Sequence, residues 1–178
     1  MEIETGFPPL YYGPLIALFC SRACPAALIL RAHDLARAWA GAGVGVVGGF
    51  HSPTEAEMLR VLLRGRGPLV VVLALGLGGR VPRQWQAAQA AGRLQLVSPF
   101  ADTVKRASRG QAEKRNRMVA DLATRVLVLY AAPESSTERL ALEWLAAGRE
   151  VWTLAHGANA ALLAAGARAW DATQIKGI

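Results

Sequence analysis

The sequence predicts an α/β protein built on a doubly wound, mainly parallel sheet with helices on both faces. Two observations carry this. Short, continuously apolar runs such as Leu15–Phe19, Leu69–Leu75 and Val126–Tyr130 recur along the chain, as strands covered on both faces require. Segments of helical periodicity, opened by Ser or Pro and closed by Gly, lie between them. Right-handed crossovers then bring the strands into one Rossmann-like sheet.

At 178 residues the chain is long enough for a full core and is expected to form a single domain over 1–178. Residues 1–14 form an irregular lead-in rich in Pro, Gly and Tyr. No internal repeat is discernible. With 53% hydrophobic and 19% charged residues, the disordered class is excluded.

Leu15–Phe19 reads as the first strand and Cys20–Cys24 as the turn after it. Pro25 suits the first position of a helix whose buried stripe is Leu28, Ala32, Leu35 and Trp39, ended by Gly41 or Gly43. Val44–Val47 is a second strand. Ser52 with Glu55 three later is a capping box, with Pro53 at N1, and that helix runs to Arg64. Leu69–Leu75 is the third strand, Gly76–Gly79 a flexible exit, Pro82–Ala91 a short helix and Leu94–Val97 the fourth strand.

Ser108 with Gln111 caps a basic helix whose apolar stripe is Met118, Val119 and Leu122. Arg115 lies one turn before that stripe on the same face, where a guanidinium needs an anionic or polar partner. Arg117, nearly opposite and four before Asp121, reads as half of a solvated pair. Val126–Tyr130 is the fifth strand. Ser135 with Glu138 opens a helix to Ala147 that buries Leu140, Trp144 and Leu145, with Gly148 as C-cap. Val151–Leu154 is the sixth strand, His156–Asn159 opens a short helix to Ala165, Arg168–Trp170 is a last short strand, and the chain ends in a polar segment.

In such a sheet ligands bind outside the carboxyl ends of the strands. The turns at that edge carry small or polar residues: Ser21 and Arg22, Gly48 and Gly49 through Ser52, Gly76–Gly79, Ser135 with Ser136 and Thr137, and Gly157 through Asn159. Glycines let a backbone approach phosphate, and helix N-termini offer unpaired N–H groups. Arg22, Arg115 and Asn116 add charge and donors. Taken singly, the serines read as caps and the glycines as turns; their convergence on one edge exceeds that reading.

Neither a Gly-x-Gly-x-x-Gly after the first strand nor a Walker A sequence is present, so no cofactor is expected. Cys20 and Cys24 have no further Cys or well-spaced His to complete a metal site and read as reduced cytosolic thiols. The acidic, proline-broken start is not a signal peptide, and the apolar runs are too short to span a bilayer. The expected location is the cytoplasm, away from membranes. A net charge of +7 points to an anionic partner such as nucleic acid or a nucleotide. Its weight is reduced because nearly all the cations are Arg in an Ala/Gly-rich chain, the imprint of GC-rich codons.

The order of these motifs resembles the Rossmann core of the DNA-processing protein A (DprA/Smf) proteins, within the wider group that includes the LOG-type nucleotide phosphoribohydrolases. Cys20-Ser21-Arg22 matches that family's Gly-Ser/Thr-Arg after the first strand. Gly48 to Glu55 lies where the family has Ser-Gly-x-Ala-x-Gly-Ile-Asp. Gly76-Leu77 with Val81-Pro82 matches its Gly-Leu loop and Tyr-Pro, and Ser98-Pro99 echoes its Ser-Glu-x-Pro. Arg115-Asn116-Arg117 and Gly148-Arg149-Glu150-Val151 keep its Arg-Asn-Arg and Gly-Arg-x-Val intact. Glu134 to Thr137 replaces its Ser-Gly-Ser-Leu-x-Thr loop, and Gly157 to Ala167 is close to its final Gly-x-Asn motif. The resemblance covers residues 15–168.

It implies a binding module for single-stranded nucleic acid, or for a nucleotide-derived ligand, without chemistry of its own. Its cradle would be Arg22, Arg115, Asn116 and backbone amides. It also implies a homodimer, since relatives of this core usually pair. Two alternatives stand beside it. One is a LOG-like N-glycosidase, with Glu138 and Arg115 as its catalytic candidates. Pro133 and Thr137 echo that group's Pro-Gly-Gly-x-Gly-Thr-x-x-Glu, but its glycines and spaced glutamate are missing. The other is a sensor of a nucleotide signal.

Overall fold

A computed structural model of the protein describes residues 13–171; most of the expected lead-in and the polar C-terminal end lie outside them. The elements alternate strictly: β1 (Ile16–Cys20), α1 (Ala26–Ala42), β2 (Val46–Gly48), α2 (Pro53–Leu62), β3 (Leu69–Val72), α3 (Arg83–Ala90), β4 (Leu94–Val97), α4 (Arg109–Asp121), β5 (Arg125–Tyr130), α5 (Ser136–Ala146), β6 (Val151–Leu154), a 3-10 turn (Gly157–Asn159), α6 (Ala160–Ala164) and β7 (Arg168–Trp170).

All seven strands join one sheet in the order β4-β3-β2-β1-β5-β6-β7, and every neighbouring pair is parallel. The chain winds outward from β1 to β4, returns through α4, and winds the other way from β5. β1 and β5 are therefore neighbours at the point of reversal, where a crevice opens beyond their carboxyl ends. The β1–β5 register slips between Phe19 and Cys20, which re-aims the end of β1 at this crevice.

The pleat sorts the core into two layers. Ile16, Leu18 and Cys20 of β1 face α1 and α2 with Leu28, Leu35, Trp39 and Met58. Ala17 and Phe19 face α4 and α5 with Met118, Val119, Leu140 and Trp144. This double burial makes the strand sequences continuously apolar. Each fully buried Leu or Val contributes on the order of 1.5–3 kcal/mol.

The helix ends refine the sequence reading. Pro25 is the N-cap of α1 and not its first residue. Gly43, at φ 76°, ends that helix, because only there does the chain take the left-handed turn that glycine tolerates. β3 stops at Val72 instead of Leu75: Leu73 still donates its N–H to Val97 O at 2.9 Å, but β4 ends at Val97 and no ladder remains. Arg117 is solvated but does not pair with Asp121. It binds Glu113 at 3.1 Å and Glu143 at 2.7 Å, and Arg139 joins the same two carboxylates at 2.8 and 2.6 Å. Asp121 instead takes Arg149 at 3.3 Å. The docking of α5 beside α4 decides this choice of partner. Among the described residues no helix is long and apolar enough to cross a membrane.

Leu18 is fully buried in the central strand, so Leu18→Ala is expected to lower stability by about 2–5 kcal/mol, read from urea unfolding at unchanged m-value. Arg139→Ala is expected to leave the midpoint almost unchanged, because its ion pairs are solvent-exposed.

Candidate functional site

The crevice is built outward from the end of β1. Ser21 donates its N–H to Tyr130 O at 2.8 Å, extending the β1–β5 pairing by one residue. Its Oγ accepts the N–H of Ala132 at 2.9 Å and lies 3.2 Å from Ser135 Oγ. Ser135 caps α5 by accepting the N–H of Glu138 at 3.1 Å. The two serines thus tie the loops on either side of the reversal point, leaving Arg22 exposed on the rim.

The opposite bank comes from β2 and α4. Ser52 caps α2, its Oγ accepting from Glu55 N at 3.3 Å. Glu55 is 7% exposed. Its Oε2 accepts the amides of His51 at 2.8 Å and Ser52 at 3.0 Å, and its Oε1 that of Cys20 at 2.8 Å. Arg115 on α4 is only 6% exposed, and its Nε donates to Asn116 Oδ1 at 2.8 Å. The guanidinium lies over Gly49, where a Cβ would stand 2.0 Å from Nη1 and 2.3 Å from Cζ. Gly49 is glycine to admit this side chain.

Two hollows meet at Arg115. One, of about 430 Å³, is walled by Ser21, Arg22, Ser52, Glu55, Arg115, Asn116 and the Ser135–Thr137 turn. The other, of about 380 Å³, runs along Gly49, the end of β3 and the start of α4 at Ser108 and Arg109. Both include His51, Ala112 and Arg115, so the two hollows adjoin along a wall that Arg115 shares. Hydroxyls, the N-terminal turn of α5 and two arginines converge on it, a donor set suited to phosphate oxygens.

The electrostatics follow from burial. Desolvation pulls the Arg115 pKa down and the facing Glu55 charge opposes this. Burial pushes the Glu55 carboxyl up, against the amides of Ser52, Cys20 and His51 and the Arg115 charge. Cys20 and Cys24 are free thiols. Burial, and then the neighbouring Cys24, push the Cys20 thiol far up, and burial raises Cys24. Neither is therefore primed as a nucleophile. Among the described residues no group of three or more His, Cys, Asp or Glu is placed to hold a metal ion.

The structure brings together Ser21, Arg22, Gly49, Ser52, Arg115, Asn116, Ser135, Ser136 and Thr137. It places three other candidates elsewhere. Gly48 is buried at the end of β2, where a Cβ would press on the Phe50 ring at 3.1 Å, and it lines neither hollow. Asn159 is 1% exposed, and its amide is engaged by backbone. Nδ2 donates to Leu129 O and Leu154 O at 2.9 and 3.0 Å, and Oδ1 accepts from Ala131 N at 3.4 Å. It clamps β5 to β6. Glu138 accepts the N–H of Glu134 at 2.7 Å, steadying the turn before α5, and lines neither hollow. Sequence reasoning missed Glu55, His51 and Ala112 as cleft residues. The capping box accounted for Glu55 in full, and its bond to Cys20, 35 residues away, left no local signal.

The family model of DNA recombination-mediator protein A matches residues 4–173. No curated protein matches the sequence. Among solved structures, DNA processing protein A (DprA) from Streptococcus pneumoniae is similar with a TM-score of 0.72 at 19% identity, over 91% of this chain and 60% of that one. DNA processing protein A from Helicobacter pylori, solved to describe its single-stranded DNA binding mode, is similar with a TM-score of 0.69 at 19% identity, over 92% and 77%. The Moco carrier protein of Chlamydomonas rheinhardtii is similar with a TM-score of 0.54 at 15% identity, over 92% and 93%. At these identities the likeness is one of fold. The family match bears out the kinship read from the motifs, and the chain spans only 60% of the S. pneumoniae protein.

Gly49→Ala is expected to drive the Arg115 guanidinium out of the cleft. The displaced group is the end of a flexible side chain, so the fold should survive with a lowered melting temperature, since Glu55 loses its counter-charge, and any affinity for sulfate or phosphate should fall, as read by calorimetry.

Proposed function

We propose that this chain, which belongs to the DNA recombination-mediator protein A family, is a module that binds single-stranded DNA along the cleft divided by Arg115. The observation that carries the reading is that buried guanidinium, set over a glycine between two hollows and ringed by hydroxyl and amide donors. A site that straddles a divide suits a strand passing from one hollow to the other. The family's name agrees with it, as does the single-stranded DNA binding mode of the H. pylori protein.

The placement of charge supports the same reading. Arg22, Arg106, Arg109 and Lys114 are exposed and form no salt bridge among the described residues. Five other arginines, Arg60, Arg117, Arg139, Arg149 and Arg168, are neutralised by carboxylates. Arg22 lines one hollow and Arg109 the other, and Arg106 and Lys114, close to Arg109 in sequence, would extend a track for phosphates. A hydrolase reading draws less support, because Glu138 lies outside both hollows with one oxygen held by a backbone amide. We also propose that the protein works in the cytoplasm as a homodimer, for which light scattering of the purified chain is the test; a monomer at high micromolar concentration would reject the dimer.

Binding to an oligonucleotide is expected at micromolar affinity, with log K falling by roughly 0.7 per phosphate contact against log salt. Arg115→Ala should weaken it, and sequence preference should be slight because few aromatic rings line the cleft to stack bases. No base release from nucleoside monophosphates is expected; release that vanished in Glu138→Gln would establish the hydrolase instead. A mononucleotide bound as tightly as the oligonucleotide, with little salt dependence, would establish a nucleotide sensor.

A further inference from the structure

Glu55 does more than complete a helix cap. A capping box requires its carboxylate to reach the amide of Ser52. Here it also takes the amide of His51 and, from another strand, that of Cys20. One side chain therefore joins the end of β1 to the loop leaving β2. A carboxylate suits this position because it accepts several N–H groups and presents no donor of its own. It also lines the same hollow as Arg115. A buried carboxylate in the wall of an anion-binding cleft is paradoxical, since it repels the ligand. The paradox resolves if its charge is consumed in holding the wall.

We propose that Glu55 is the positioning residue of the cleft. By fixing the amides of Cys20, His51 and Ser52 it sets where Ser21 and Arg22 emerge on one bank and where the α2 N-terminus stands on the other. It also gives Arg115 a fixed counter-charge across the hollow. Glu55 itself touches no ligand. This rests on the reading above that the cleft binds a single strand.

The deciding variant is Glu55→Gln, measured by oligonucleotide binding at neutral pH and low salt. The substitution keeps the size, removes the charge, and turns an NH2 group toward an amide N–H. A bystander carboxylate would leave binding tighter after its removal, because repulsion is relieved. A positioning carboxylate gives the opposite sign, a loss of roughly ten- to hundredfold. The loss combined with Arg115→Ala should be smaller than the product of the two single losses. Unchanged or tighter binding in Glu55→Gln, with the wild-type protein binding normally, overturns the inference alone. No binding by the wild-type protein overturns this inference and the single-strand reading together.

If Glu55→Gln does not fold, the wild-type protein decides through its pH profile. Protonating Glu55 converts one acceptor oxygen into a donor and loosens the wall. The other groups that face it are Arg115 on α4, cationic throughout, Cys20 on β1 and Cys24 after it, neutral throughout, and His51 before α2, whose protonation would strengthen anion binding. Affinity that falls in step with acid-induced shifts of the Cys20, His51 and Ser52 amide resonances upholds the role. Affinity that rises through the same transition overturns it.

Discussion

Burying the guanidinium of Arg115 is the constraint on which the rest of the site depends. A cation at 6% exposure has lost most of its hydration, a loss that polar partners must offset. The structure supplies two such partners and the space for the group. Asn116 takes Nε, Glu55 faces it across the hollow with a buried negative charge, and Gly49 gives up its side chain to make room. Each of these choices propagates. Glu55 is itself too buried to stand without donors, so it draws in the amides of Cys20, His51 and Ser52. Those amides belong to the end of β1 and to the loop between β2 and α2, so one buried charge ties these two segments together.

The topology explains why this happens where it does. Between β1 and β5 the connections leave the sheet on opposite faces, which opens the strand edge there. The register slip at Phe19 and Cys20 and the contact between Ser21 and Ser135 keep that edge from collapsing. Elsewhere along the same edge, polar side chains close the sheet. Asn159 fills the space between β5 and β6 with three backbone hydrogen bonds, and Ser98 donates to Leu75 O at 2.7 Å beyond β4. Polar residues at strand ends therefore divide into those that open a cleft and those that seal one.

That division marks the limit of what the sequence made legible. The strands were readable because double burial leaves no polar face, and the caps of α2 and α4 because Ser52 with Glu55 and Ser108 with Gln111 are local, three-residue signals. Arg115 was readable because a charge on an apolar stripe is an anomaly within a single helix. Asn159 and Gly48 were not separable from true cleft residues, since their partners, Leu129, Leu154 and the Phe50 ring, are fixed by packing. Glu55 failed for the converse reason: a sufficient local explanation concealed a tertiary one. The partner of Arg117 was misread because α5 supplies carboxylates that no spacing within α4 reveals.

The same reasoning changes what the net charge means. An excess of +7 is a weak statement about partners when arginine is abundant throughout a chain. Its distribution is a stronger one. Where α4 packs beside α5, Arg117 and Arg139 alternate with Glu113 and Glu143 in a closed square, which cancels their field locally and leaves little to attract a polyanion. The N-terminal half of the same helix carries Arg109 and Lys114 without such partners among the described residues, and opens onto the hollow shared with Arg115. One helix thus presents a neutralised surface toward α5 and a basic one toward the cleft. The charge that α4 leaves uncancelled therefore stands where hydroxyls and a buried guanidinium already converge.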